Sequence, residues 1–327
     1  MEKFGKLLSG VLVLGLTLVG CTKDEIITPA IDPNDQLYGS AQNDQQFFEL
    51  FAQNDEFLRN DDIAMNDGPS PAPFDDEIVG TMTEIHPIRW ARFIRNIQRS
   101  VQLDSVTADS LAYVTVTKTF NGVLVILARY DSTTIDTVRK DFTSQSKKRI
   151  IFKKIANDRV IWRNWRPVAV SLIDGGTTSS EAINIAQLEL VYFNAGVRDS
   201  LVINDPLSTF FRIRRHRDIN GMDVPDFTGG QEARMFATVV SASPDTDHVV
   251  LRYGFTPDGR RRRIRLHLIS ESFDGTNYTR VYTRAFNMHF HRGVFAAAVD
   301  AMTHGTLFDD AEPVSTSFWG VPYMVTN

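Results

Sequence analysis

The sequence predicts an α+β domain over residues 39–176, followed by an all-β antiparallel sandwich over residues 177–327. Three observations predict it. A stretch of helical periodicity comes first, period-two apolar runs take over from residue 111, and a turn-rich break, Asp174-Gly175-Gly176-Thr177-Thr178-Ser179-Ser180, divides those runs. The 327 residues and 43% apolar content are enough to build two ordinary cores.

Residues 1–20 have the layout of a secretion signal: Lys3 and Lys6, an apolar run from Val11 to Val19, then the small Gly20 before Cys21. The run falls short of the about 20 apolar residues that cross a bilayer, and Thr22, Lys23, Asp24 and Glu25 follow at once. Leu18-Val19-Gly20-Cys21 resembles the lipobox of bacterial lipoproteins. The resemblance implies cleavage between Gly20 and Cys21 once a diacylglycerol is on the thiol. The competing reading is an ordinary cleaved signal that happens to end at cysteine. Cys21 is the only cysteine, so it has no intramolecular disulfide to make, although an exported protein can keep one. Lipid on that thiol anchors the chain to the membrane without embedding it. The expected location is the outer membrane. Lys23-Asp24-Glu25 is similar to a surface-export signal, so both its periplasmic face and the cell surface stay open.

Residues 21–38 carry Pro29 and Pro33 with little periodicity and read as a flexible acidic tether. From Thr22 to Gly80 fourteen acidic residues face only Lys23 and Arg59, whereas from Thr81 onward 31 basic residues outnumber 25 acidic ones. The net charge of −5 therefore hides an acidic leader and a mildly basic body.

Ser40–Leu58 places Phe47, Phe48, Leu50, Phe51, Phe57 and Leu58 near helical spacing, which predicts one amphipathic helix with a core-facing aromatic stripe. Residues 66–73 hold three prolines and form a loop. Pro87–Ser100 sets Trp90, Phe93, Ile94 and Ile97 against arginines and fits either a short helix or a strand. Strands are predicted at 111–118, 122–130, 148–155 and 159–173. A helix followed by long strands, with Gly122 and a terminal WRPVAVSL, resembles the cone-shaped NTF2-like fold over residues 40–173. That resemblance implies a curved sheet wrapped on helices around a pocket, with Trp162 and Trp165 near it.

Beyond the break, strands are predicted at 186–193, 200–204, 208–214, 234–242, 248–253, 260–270, 278–287 and 293–301. Ser243–Tyr253 and the later GVFAAAVDAMTHGTLFDD resemble immunoglobulin-like modules, in which the second segment is an edge hairpin turning at Thr303–Thr306. Alternation sets Val294, Ala296, Ala298 and Asp300 on one face, with Phe295, Ala297 and Val299 on the other.

Three clusters offer chemistry. His289 and His291 share one strand face, and His267 could add a third imidazole, a set zinc accepts; without C-x-x-C or H-E-x-x-H spacing, no metal is expected there. Asp300, Asp309, Asp310 and Glu312 could hold calcium but lack EF-hand spacing and read as a solvated turn. Arg260–Arg263 with Arg265, and a second run of Arg212, Arg214, Arg215 and Arg217, are strongly basic. Alternation sends Arg261, Arg263 and Arg265 to one face, as an anion-gripping ridge or as a charged edge that resists aggregation.

The chain carries no G-x-S-x-G elbow, phosphate loop or dinucleotide fingerprint, and no second cysteine. No catalytic residue and no cofactor are assigned. The expectation is a lipid-anchored envelope protein that binds or scaffolds. Its partners would be the membrane through Cys21, together with envelope proteins, anionic glycan or lipopolysaccharide, and not nucleic acid. The alternative is a hydrolase or small-ligand carrier using a pocket in the first domain.

Overall fold

Alternating burial runs the length of the longest strands and explains why they are strands. In the segment LAYVTVTKTF, Ala112, Val114, Val116, Lys118 and Phe120 turn to one face and are buried, while the intervening residues are half-buried. A computed structural model of the chain describes residues 45–49, 72–73, 85–107, 110–131, 134–156, 164–178, 182–194, 196–213, 221–254 and 262–326.

The first half is a meander of very long antiparallel strands: β1 (Ala72–Pro73), β2 (His86–Val106), β3 (Leu111–Arg129) and β4 (Ile135–Lys154). Two short strands, β5 (Trp165–Ser171) and β6 (Ile173–Thr177), both pair with β4. Pro87–Ser100 thus belongs to a strand of 21 residues, and the two runs expected at 111–118 and 122–130 are one strand of 19. Gly122 does not break that strand. A Cβ there would stand 2.6 Å from the Phe93 carbonyl oxygen and 2.8 Å from the Phe142 ring, so glycine lets β2 and Phe142 close in beside a bulge at Ile94/Asn96.

A helical turn at residues 45–49, α1, seats Phe47 and Phe48 against Phe152, Trp165 and Val114. The aromatic stripe faces a core there, and the rest of the predicted helix lies outside the described residues. The described residues from 85 to 178 hold strands and connecting turns only. The helix-wrapped NTF2-like cone is therefore not supported: the ambiguous 87–100 segment, which could have supplied a second helix, is taken up by the sheet.

The remaining strands are β7 (Ile183–Asn194), β8 (Val197–Ile203), β9 (Phe210–Arg212), β10 (Asp226–Thr228), β11 (Glu232–Ser241), β12 (His248–Tyr253), β13 (Arg262–Arg265), β14 (His267–Phe273), β15 (Tyr278–Asn287), β16 (Gly293–Met302) and β17 (Thr316–Thr326). A five-stranded sheet, β14-β15-β11-β7-β8, stacks over β12, β16 and β17 of the other sheet. Leu190, Met235, Val239, Leu251, Val299 and Trp319 are among the side chains that fill the space between. That packing of two predominantly antiparallel sheets is the sandwich arrangement.

The larger sheet runs β1-β2-β3-β4-β6-β17-β16-β12-β13, so β6 hydrogen-bonds to β17 across the expected boundary at 176/177. Leu37–Asn327 form one contact unit. The GVFAAAVD segment is β16, an interior strand between β12 and β17 rather than the edge of a hairpin. Its two faces alternate as expected: Ala297, Val299 and Ala301 enter the sandwich core, while Ala298 and Met302 join a second core with Trp90, Leu124 and Phe142. The expected turn at Thr303 leads into a short helix, α2 (His304–Phe308).

Candidate functional site

The second core shows that the larger sheet coils. Trp90 sits on β2 and His248 and Arg263 on β12 and β13, at opposite ends of the strand order. The Trp90 and His248 rings nevertheless meet at 5.9 Å, and the Arg263 guanidinium lies 3.3 Å from the Trp90 centroid. Behind them Asp300 of β16, 0% exposed, accepts from Arg92 of β2 and from Arg252 of β12, the latter at 2.8 Å.

Register explains how these residues find each other. Arg252 stands opposite both Arg263 and Ala298, and Val250 opposite both Arg265 and Asp300. Arg263 and Arg265 therefore share one face, as alternation predicts, but it is the face that holds Asp300 and looks into the coil. Both are half-buried. Arg261, the third member of the expected ridge, and Arg260, Arg214, Arg215 and Arg217 lie outside the described residues. Arg212 pairs with Asp223 at 3.0 Å. Within the cluster, burial, then Arg265, Arg263 and Arg252, hold His248 well below the usual imidazole range. His248 is a neutral imidazole against the Trp90 ring, while the Asp300 carboxylate, bound by the Arg92 and Arg252 guanidinium groups, ties β16 to β2 and β12.

His267, His289 and His291, the weak metal candidates of the sequence, are not brought together. His289 is buried with Nε2 2.9 Å from the Tyr323 hydroxyl, and burial, His291 and Arg262 lower its pKa. His291 is exposed, with its ring 5.8 Å from that of His289. His267 is on β14 against Arg284. Among the described residues no group of three His, Cys, Asp or Glu side chains is arranged to hold a metal ion.

The acidic cluster also separates. Asp300 serves the arginines, whereas α2 and the turn after it wrap the ammonium of Lys140, which donates to the carbonyl oxygens of Gly305, Thr306, Asp309 and Glu312. Asp310 accepts from the Tyr130 hydroxyl at 3.2 Å. A lysine from β4 occupies the place that a hard cation would take.

A cavity of about 70 Å³ opens where β17 runs on past its pairing with β6, lined by Lys148, Leu172, Ile173, Val294, Ala296 and Pro322. It is far smaller than the roughly 300–1,000 Å³ of small-molecule sites. Trp165, expected near a pocket, is packed in the core on Phe48, and Trp162 lies outside the described residues. Gly20 and Cys21 lie outside them as well. Among the described residues no helix is long and apolar enough to cross a membrane.

Sequence reasoning missed Arg92 and Trp90 as members of the arginine cluster. The only available signal was the alternation of arginine with aromatic residues in PIRWARFIR. No known protein family matches the sequence, and no curated protein or solved structure resembles it at a significant level.

Proposed function

We propose that this chain is a lipid-anchored protein of the bacterial outer membrane that works by binding or scaffolding rather than by catalysis. The observation that carries the reading is Leu18-Val19-Gly20-Cys21, with Cys21 the sole cysteine of the chain. The folded part supports it through what its reactive side chains do. Asp300, Arg92, Arg252 and Arg280 are consumed in buried ion pairs, His289 is locked to Tyr323, and the cavity of about 70 Å³ beside β17 is too small for a substrate of ordinary size. The stack of the five-stranded sheet on β12-β16-β17 supports reading the second half as an immunoglobulin-like module that presents a surface. Envelope proteins, anionic glycan or lipopolysaccharide are the partners such a surface would meet.

The test is intact-mass analysis of membrane fractions from cells making the wild type or Cys21→Ala, with protease shaving of whole cells. A lipid-sized increment that disappears in Cys21→Ala is expected. Shaving from intact cells would place the body outside, and resistance would place it in the periplasm. A wild-type chain without the increment overturns the proposal.

A further inference from the structure

An aspartate followed by a hydroxyl residue recurs along the chain with one kind of neighbour. Of the six Asp-Ser and Asp-Thr pairs, five run on into Val, Leu or Thr: Asp104-Ser105-Val106, Asp109-Ser110-Leu111, Asp131-Ser132-Thr133, Asp136-Thr137-Val138 and Asp199-Ser200-Leu201. The sixth, Asp245-Thr246, is followed by Asp247. The tripeptides of Ser105, Thr137 and Ser200 lie wholly within the described residues, and in each the aspartate and the hydroxyl residue are exposed.

These three also share an open sheet edge among the described residues. β8, which carries Ser200, pairs with β7 alone. β2 meets β1 only at Arg89 and Trp90, and the Gln45 side chain covers its edge at Val101 and Leu103; Ser105, just beyond, has only β3 beside it, at Tyr113. β4 meets β6 over residues 144–147 and β5 over residues 150–154, so Thr137, opposite Leu127, likewise has β3 alone. Asp136 accepts from the Thr137 N–H at 2.6 Å and Asp199 from the Ser200 N–H at 2.8 Å. The acid is thus folded back on the backbone beside an exposed hydroxyl.

An open edge offers unpaired N–H and C=O groups to any other chain, and a charge or a bulky hydrophilic group on it prevents that pairing. The same edge lets an enzyme read a short extended peptide by adding it as a strand. We propose that Ser105, Thr137 and Ser200 are acceptors of an O-linked sugar, that the preceding aspartate is part of what the transferase reads, and that the glycans cover these edges. The donor is a sugar held through pyrophosphate on a lipid carrier. The bond from its anomeric carbon to the pyrophosphate oxygen breaks, a bond from that carbon to the Ser or Thr hydroxyl oxygen forms, the hydroxyl proton passes to a base of the transferase, and the lipid pyrophosphate leaves with the electron pair. A neutral sugar suits the site better than a phosphoryl group, whose charge would stand against the adjacent carboxylate.

This inference rests on the export proposed above, but its readout is separate from the lipid on Cys21. The chain is purified from the membranes of its native host, digested, and its peptides are fragmented by electron transfer. One and the same saccharide increment is expected on Ser105, Thr137 and Ser200, removed by alkaline β-elimination. Asp199→Asn should abolish the increment on Ser200 and leave those on Ser105 and Thr137, which report that the variant chain was exported and met the transferase. Bare hydroxyls at all three positions, a phosphoryl increment in place of the sugar, or Ser200 still modified in Asp199→Asn overturns the proposal. The amino-terminal peptide is read in the same digest. Lipid on Cys21 with bare hydroxyls overturns the glycans and leaves the anchor standing, whereas sugar at the three positions without lipid supports the glycans and removes the anchor.

Discussion

Arg92 of β2 and Asp300 of β16 lie 208 residues apart and share a buried two-point ion pair, with one guanidinium nitrogen 3.3 Å from Oδ1 and the other closing on Oδ2. Arg252 binds the same Oδ2. Replacing the carboxylate removes the buried charge that both guanidinium groups bind. Asp300→Asn is expected to cost about 3–5 kcal/mol in urea unfolding. Arg95→Ala should cost no more than about 1 kcal/mol, because Arg95 and its partner Asp141 are 60% and 78% exposed. Equal shifts for the two variants would refute the role of Asp300 as the staple of the coil.

Acid should loosen the same region. Burial and three arginines keep His248 neutral in the folded state, while the unfolded imidazole titrates near its ordinary 6.5. The unfolded chain therefore binds a proton that the folded one refuses. This contribution to stability is complete above about pH 6.5 and declines as the pH falls, by up to about 1.4 kcal/mol per unit. His289, lowered mainly by burial, acts with the same sign. Urea midpoints near pH 7.5 and near pH 5.5 should show the drop, and His248→Gln should reduce it. A wild-type midpoint that is flat across that interval contradicts the assignment.

Gly176 tests the seam between β6 and β17. It pairs with Ser317, and a Cβ on it would stand 2.6 Å from the Thr316 carbonyl oxygen, a backbone atom that moves only with its strand. Gly176→Ala should lower stability by about 1–3 kcal/mol, read as a fall in Tm. An unchanged Tm would show that the two strands are free to separate at this point.

The sequence reveals alternation well and the destination of each face poorly. The parity of Arg263 with Arg265, and of Ala298 with Asp300, follows from period two. That their shared face looks inward depends on the larger sheet coiling until β2 meets β13, which no local pattern encodes. The strand β17 escapes a local reading for a different reason. Gly320 and Pro322 interrupt TSFWGVPYMVT, yet both are tolerated: Ile173 of β6 packs where a Cβ on Gly320 would sit, and Pro322 falls beyond the β6 pairing, where its missing N–H breaks no ladder on that side. Without β17, the chain reads as two domains, because that strand is what joins β6 to β16.

Arg280 of β15 anchors the loop that leads into β12. Its Nη1 donates to Asp247 at 2.9 Å, its Nε donates to Glu271, and its Nη2 donates to the carbonyl oxygens of Pro244 at 2.8 Å and Ser243 at 3.0 Å. A planar fork with five donors reaches all four acceptors, and a lysine ammonium on its flexible stem cannot. Arg280→Lys keeps the charge but strands some of the acceptors, at a cost of about 1–3 kcal/mol. The loss should be local as well as global. The Asp247 N–H donates to the Tyr282 hydroxyl at 3.1 Å, and that bond depends on the carboxylate staying in place. Hydrogen exchange at Asp247 should therefore quicken more than at Val239, a buried position in the middle of β11. A uniform change at both sites would mean that Arg280 contributes to stability without fixing the loop.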